Sequence, residues 1–380
     1  MRISKYVLSV SLCLLFFLGY GQSNAVWSEI KPYFTPPDSY AGQLGNFRSP
    51  LQFYDGTPVK TKADWERRRN EIRKQWHGMM GEWPALLEDQ KLIIDSTVQK
   101  DGYKQHHVRF RWLPNEWTDG YLLIPDDGAD RKHAAVVTVF YEPETAVGIG
   151  GKPQRDFARQ LVKRGFVTLS LGTRAASEQR IYSLYYPSLE HAEVQPLSML
   201  AYAAANAWHV LAKVPEVDST RIGITGHSFG GKWAMFASCL FEKFACAAWS
   251  DPGVVFDDTK GSGVNYWEPW YLGYYPTPWE NTWRKTGDLE NAKGLYPELI
   301  RGGYDLHELH ALMAPRPFLV SGGSSDGPER WVPLNHAIQV NKLLGFENRV
   351  AMTNREKHDP NEQSNKVLGD FFEYFLHPAQ

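Results

Sequence analysis

The chain has 380 residues with a formal net charge of -2, and 43% of it is hydrophobic, enough apolar side chain for a sizeable core. Basic and acidic residues are balanced at 41 and 43, with no long run of one sign, so no nucleic-acid or anionic-membrane partner is expected. No C-x-x-C or H-E-x-x-H pattern occurs, and neither a metal nor a cofactor is expected.

Arg2 and Lys5 precede an apolar segment from Val7 to Leu18, and small and polar residues continue to Ala25. This is the layout of a secretory signal peptide cleaved near Gly21 or Ala25, with an apolar part too short to span a bilayer. Residues 1–25 are therefore expected to be removed, leaving a secreted or periplasmic protein with no stable membrane span. Cys239 and Cys246 remain; one falls on a helix and the other enters a strand, which favours two buried thiols over a disulfide.

Residues 26–60 are rich in Pro, Gly and aromatic side chains and read as an extended arm. Asp64 to Met79 has a helical pattern that Gly81 and Pro84 end. This 26–90 unit is expected to pack on a catalytic domain of residues 91–380. Leu92–Val98, Tyr103–Trp112 and Gly120–Ile124 read as antiparallel strands separated by turn signals. His106 and His107 sit side by side in one of them and so face opposite ways, which is no metal pair.

Beyond His133 the pattern becomes strand–helix alternation: strand Ala134–Phe140, helix Arg155–Arg164, strand Phe166–Leu171, helix Leu197–Leu211 and strand Arg221–Thr225. After strand Ala245–Trp249 comes an irregular, aromatic-rich insertion near 254–300; eight of the eighteen residues from Tyr266 to Trp283 are Tyr or Trp. Helix Leu306–Met313, strand Pro317–Val320, helix Leu334–Leu344, strand Val350–Thr353 and helix Glu362–Phe375 complete the chain. Alternating units of this kind predict a mostly parallel sheet with helices on both faces, whose sites lie beyond the carboxyl ends of the strands.

Between strand Arg221–Thr225 and a helical run from Lys232 to Leu240 stands Gly226-His227-Ser228-Phe229-Gly230. G-x-S-x-G between a strand and a helix is a nucleophile elbow, which lifts the serine above the sheet. A serine hydroxyl needs a base to remove its proton, and the loop after strand Val350–Thr353 offers His358. His307, His310 and His336 lie in helical patterns and read as packing or surface residues. For the acid, Asp326 in the Gly-rich loop after Pro317–Val320 is the first choice. Asp251, just past the strand after the elbow, competes with it as an alternative or second acid, and Glu329 follows.

An oxyanion hole would take the Phe229 N–H and an N–H from the loop after Ala134–Phe140, at Tyr141 or Glu142. Lys232, one turn past the serine, reads either as a contact to a sugar hydroxyl or carboxylate or as a solvent-facing helix lysine. Arg174 is a second candidate contact. Trp267 and Trp270 are the candidate sugar-stacking rings, although most rings of that segment are expected to be core.

The elbow, the Asp and the His in this order resemble the α/β-hydrolase superfamily over roughly residues 90–378. Arg180-Ile181-Tyr182-Ser183-Leu184-Tyr185, Leu200-Ala201-Tyr202-Ala203, Val217-Asp218-Ser219-Thr220-Arg221-Ile222 and Ser228-Phe229-Gly230-Gly231-Lys232 resemble glucuronoyl esterases and related bacterial polysaccharide esterases. His227 stands where that family usually has Cys, Phe229-Gly230 where it has Arg-Asn, and Asp251 where it usually has Glu. The resemblance implies a secreted serine esterase acting on a polysaccharide ester, cleaving a uronic acid ester of methyl or glucuronoyl type. A sugar O-acetyl esterase is the alternative. A prolyl-oligopeptidase type of peptidase uses the same elbow, but the residues before Leu92 are too few for its propeller.

Overall fold

The computed structural model describes residues 24–128, 131–257, 259–260, 264, 266–279 and 289–377. The expected signal peptide lies outside the described residues except for its last two positions. Among the described residues no helix is long and apolar enough to cross a membrane, and no group of three or more His, Cys, Asp or Glu is placed to hold a metal ion.

Among the described residues nine strands form one sheet in the order β1-β2-β3-β5-β4-β6-β7-β8-β9. They are β1 Ile93–Lys100, β2 Tyr103–Leu113, β3 Glu116–Pro125, β4 His133–Phe140, β5 Val167–Gly172, β6 Val217–His227, β7 Ala247–Ser250, β8 Phe318–Gly322 and β9 Val350–Asn354. The first three pair antiparallel and join β5 antiparallel; every pairing from β5 through β4 to β9 is parallel. This is the mostly parallel sheet expected from the alternating pattern, arranged as in the α/β-hydrolase fold that the resemblance implied.

Helix α1 (Lys62–Met80) starts at a capping box: Thr61 Oγ1 accepts from the Asp64 N–H at 3.1 Å, and Asp64 accepts from the Thr61 N–H at 3.0 Å. Its buried Arg68 and Trp76 donate to the buried Glu308 carboxylate at 3.3 and 3.1 Å, fastening the helix to the body. The other helices used below are α2 (Phe157–Val162), α3 (Pro196–Leu211), α4 (Phe229–Leu240), α5 (His307–Ala311), α6 (Trp331–Leu344) and α7 (Glu362–Leu376).

The two faces of the sheet are covered by different helices, and the strands alternate between them. Val137 and Val139 of β4 join the core under α1, α3, α4 and α6, whereas Ala134 and Val136 join the core under α2 and α7. β4 and β5 are buried along their whole length, so even Thr138, Thr168 and Ser170 lie inside. Several helix boundaries differ from expectation: α6 begins at Trp331 rather than Leu334, α5 covers only His307–Ala311, and α2 and α4 differ as well. Helix α2 is shorter at both ends, and Arg155 ahead of it pairs with Asp359. Helix α4 begins three residues before Lys232, since the glycines that fit the turn also continue into its first turn. Cys239 and Cys246 are free and buried, and burial pushes both thiols up.

Candidate active site

Strand β6 ends at His227 and helix α4 begins at Phe229, so Ser228 alone makes the reversal. It adopts φ 58° and ψ -113°, a conformation costing a non-glycine residue about 1–3 kcal/mol. Hydrogen bonds on both sides hold it there: the Ser228 N–H donates to Ser250 O at 2.8 Å, and the Lys232 N–H donates to Ser228 O at 3.0 Å. A Cβ on Gly230 would collide with the Val139 carbonyl, and one on Gly226 with the Gly230 carbonyl. Strand, turn and helix therefore meet backbone to backbone, and two positions of G-x-S-x-G must lack a side chain.

Three residues from three strand ends line up over this turn. Ser228 Oγ lies 2.8 Å from His358 Nε2, and His358 Nδ1 lies 2.6 Å from Asp251 Oδ2. Asp251 is fully buried, while the His358 side chain is 37% exposed, so the base is open to solvent and its carboxylate is not. Asp251 also accepts the N–H groups of Gly323 (2.6 Å), Asp326 (3.0 Å) and Ser325 (3.2 Å). Burial alone would push its carboxyl up. The His358 hydrogen bond, the charges of His358 and Arg355 and the Ser325 N–H outweigh burial and bring it below the ordinary value.

The expectation that Asp326 orients the histidine is corrected. The Asp326 carboxylate is fully buried and accepts the N–H groups of Gly253 and Val254, each at 2.7 Å, with no hydrogen bond to His358. The two aspartates interlock. The loop after β8 gives three N–H donors to Asp251, and its own Asp326 grips the chain just after Asp251. Burial, then repulsion from Asp251, raise the Asp326 carboxyl to about 6. Glu329 is close to Lys260 and Arg330 at the outer side of the same loop.

Of the four candidate substrate contacts, Lys232, Trp267 and Trp270 are corrected by their burial, and Arg174 lies in ion pairs. Lys232 is 2% exposed; its ammonium donates to Pro252 O and sits 4.1 Å from the centre of the Tyr266 ring. Burial lowers it to about 8 against the opposing pull of Asp326, Glu268 and Asp251. Trp267 and Trp270 are fully buried, one edge-on to Tyr296 and the other 5.2 Å from Tyr182, so neither ring presents a face to a sugar. Arg174 is engaged by Asp119 at 2.8 Å and by Glu144, tying β3 to the loop after β4.

The two oxyanion candidates lie together. The Tyr141 and Phe229 rings stack at 4.3 Å and 16°. The close approach of Gly230 to Val139 and Phe140 brings the end of β4, and hence the Tyr141 backbone, against the start of α4. The Phe229 N–H belongs to the first turn of α4, where amides lack intrahelical acceptors. His307, His310 and His336 are buried, which settles the choice between packing and surface in favour of packing.

Two side chains beside His358 were not singled out as site residues from sequence. His227 is buried with its ring centre 4.7 Å from that of His358. Arg355 hydrogen-bonds the His358 carbonyl at 2.6 Å. The sequence signals available were only their adjacency to the serine and to the histidine loop. A crevice of 310 Å³ between Phe34, Ile338 and Phe346 shares no lining residue with these groups.

No protein-family model matches the chain, and no curated protein matches it in sequence. Solved structures match its fold. A glucuronoyl esterase from Solibacter usitatus is similar with a TM-score of 0.67 and 18% identity, over 89% of this chain and 99% of that one. A carbohydrate esterase family 15 glucuronoyl esterase from Caldicellulosiruptor kristjansonii gives 0.63 and 21%, over 91% and 94%. A recombinant glucuronoyl esterase from Sporotrichum thermophile gives 0.53 and 15%, over 90% and 91%.

Proposed function

We propose that this chain is a secreted serine esterase that hydrolyses a uronic acid ester of a polysaccharide, of methyl or glucuronoyl type. The observation that carries the proposal is the continuous hydrogen-bonded array Asp251–His358–Ser228 on the strained turn at the strand ends. The glucuronoyl esterases sharing the fold favour the uronate ester over an acetyl group.

Ser228 Oγ attacks the ester carbonyl carbon as His358 Nε2 takes its proton. Asp251 holds His358 Nδ1–H and stabilises the imidazolium that forms. The carbonyl oxygen becomes an oxyanion held by the Phe229 and Tyr141 N–H groups. The intermediate collapses, the C–O bond to the alcohol breaks, and His358 returns the proton to the departing oxygen. Water, deprotonated by His358, then attacks the acyl-Ser228 carbonyl; the bond to Ser228 Oγ breaks, His358 returns the proton to that oxygen, and the carboxylic acid leaves. The half-exposed His358 leaves that water a route in.

The test is product analysis by NMR after incubation with a glucuronoyl ester, methylated pectin and acetylated xylan. The proposal expects alcohol or methanol release from a uronate ester. Acetate as the only product would replace it with the O-acetyl esterase reading.

A further inference from the structure

His358 stands on residues 355–359, a stretch with no regular secondary structure, yet its ring must keep two short hydrogen bonds at once. One guanidinium fixes this stretch. Arg355 Nη2 donates to His358 O at 2.6 Å, and Nε donates to Asp359 O at 2.8 Å. Nη1 donates to Ser321 O (2.7 Å), Ser321 Oγ (3.1 Å) and Gly322 O (3.2 Å), at the end of β8. Nη2 also reaches Ser250 Oγ, at the end of β7, at 3.3 Å. A planar fork of five donors suits such a junction, which a lysine could not reproduce.

Ser250 Oγ makes a second contact, 3.0 Å from His227 Nδ1. His227 lies in the strand end just before the nucleophile, and its ring is tilted 42° against that of His358. Burial, reinforced by the neighbouring His358, Arg155 and Arg355, keeps this imidazole uncharged. It therefore offers the general base a flat neighbour that adds no like charge when His358 takes its proton. From the far side, Asp359 is held by Arg155.

We propose that Arg355 and His227, joined through Ser250 Oγ, are positioning residues that seat His358 against Ser228: Arg355 fixes its main chain and His227 its ring. The inference rests on the esterase reading above. Neither residue is asked to touch substrate, so their loss is expected in kcat rather than KM. Misplacing a catalytic group by about 1 Å costs on the order of a hundredfold.

The experiment compares wild type with Arg355→Lys, His227→Ala, His227→Phe and Ser250→Ala, using p-nitrophenyl acetate. The downfield proton signal of the His358–Asp251 hydrogen bond is followed by NMR in each. Arg355→Lys and His227→Ala are expected to lose about tenfold to a hundredfold in kcat, with KM within about twofold and the signal shifted or broadened. His227→Phe, which keeps a flat ring, is expected to recover part of the loss. A kcat within about twofold of wild type and an unchanged signal in Arg355→Lys and His227→Ala would overturn the proposal. If Arg355→Lys does not fold, the His227 and Ser250 variants decide by the same two readouts. Full activity of Ser228→Ala would sink the esterase reading itself. An inert Ser228→Ala beside fully active Arg355→Lys and His227→Ala would remove only the positioning role.

Discussion

Exchanging each aspartate for asparagine separates their roles. Asp251 Oδ2 accepts from His358 Nδ1, so an amide there either turns an NH₂ toward that nitrogen or offers a neutral oxygen in place of a carboxylate. With Gly323, Ser325 and Asp326 also donating to Asp251, no orientation of an amide satisfies all four partners. Asp251→Asn is therefore expected to lower kcat by about 10⁴, the loss seen when a triad histidine is forced into the wrong tautomer. Asp326→Asn keeps one of two backbone hydrogen bonds. Losing a charged one costs roughly 1.5–3 kcal/mol, partly offset by no longer burying a carboxylate. With an unfolding entropy of about 2.1 cal/mol/K per residue over roughly 350 residues, this lowers Tm by about 2–4 °C. Its kcat is expected within about tenfold of wild type. The assay is hydrolysis of p-nitrophenyl acetate beside a thermal melt. A normal kcat in Asp251→Asn with a collapse in Asp326→Asn would refute the assignment.

Gly230→Ala places a methyl against the Val139 carbonyl, so a loss of at least about 1–3 kcal/mol and most of the activity is expected, read by urea denaturation and turnover. Lys232→Met leaves the buried carboxylates facing it without their cation and is expected to destabilise by about 3–5 kcal/mol; an unchanged melt with only a raised KM would instead make Lys232 a substrate contact. Burial, then the neighbouring His307, lowers His310 to about 3. The unfolded chain binds a proton there below about 6.5 while the folded protein refuses it. That stability is present above about 6.5 and is lost as pH falls toward 3. His310→Leu is expected to show a shallower fall of Tm between about pH 6.5 and 4 than wild type, and an equal slope would contradict it.

What could be read from the chain depended on how local the determining contacts are. The elbow was legible because turn, glycines and helix start are contiguous, and the collision at Gly230 is the reason the pattern cannot vary. His358 was legible as the histidine just past the last strand. The acid was not: Asp251 and Asp326 both follow strand ends in turn-forming sequence, and only the hydrogen bond between His358 Nδ1 and Asp251 distinguishes them. Trp267, Trp270 and Lys232 failed for a different reason. An irregular segment has no period to say which rings face inward, and a lysine one turn after the serine reads alike whether it meets sugar or Pro252 O. His227 and Arg355 are linked through Ser250, which is distant in sequence from the His358 loop.

The central claim is that Ser228 is the nucleophile of a uronate esterase. Its most direct measurement is release of glucuronic acid from a benzyl glucuronate ester, followed by NMR for wild type and Ser228→Ala at equal concentration. The account predicts stoichiometric acid and alcohol from wild type and a rate at least about a thousandfold lower from Ser228→Ala. Hydrolysis by Ser228→Ala at the wild-type rate, or an ester left intact by the wild type, would contradict it.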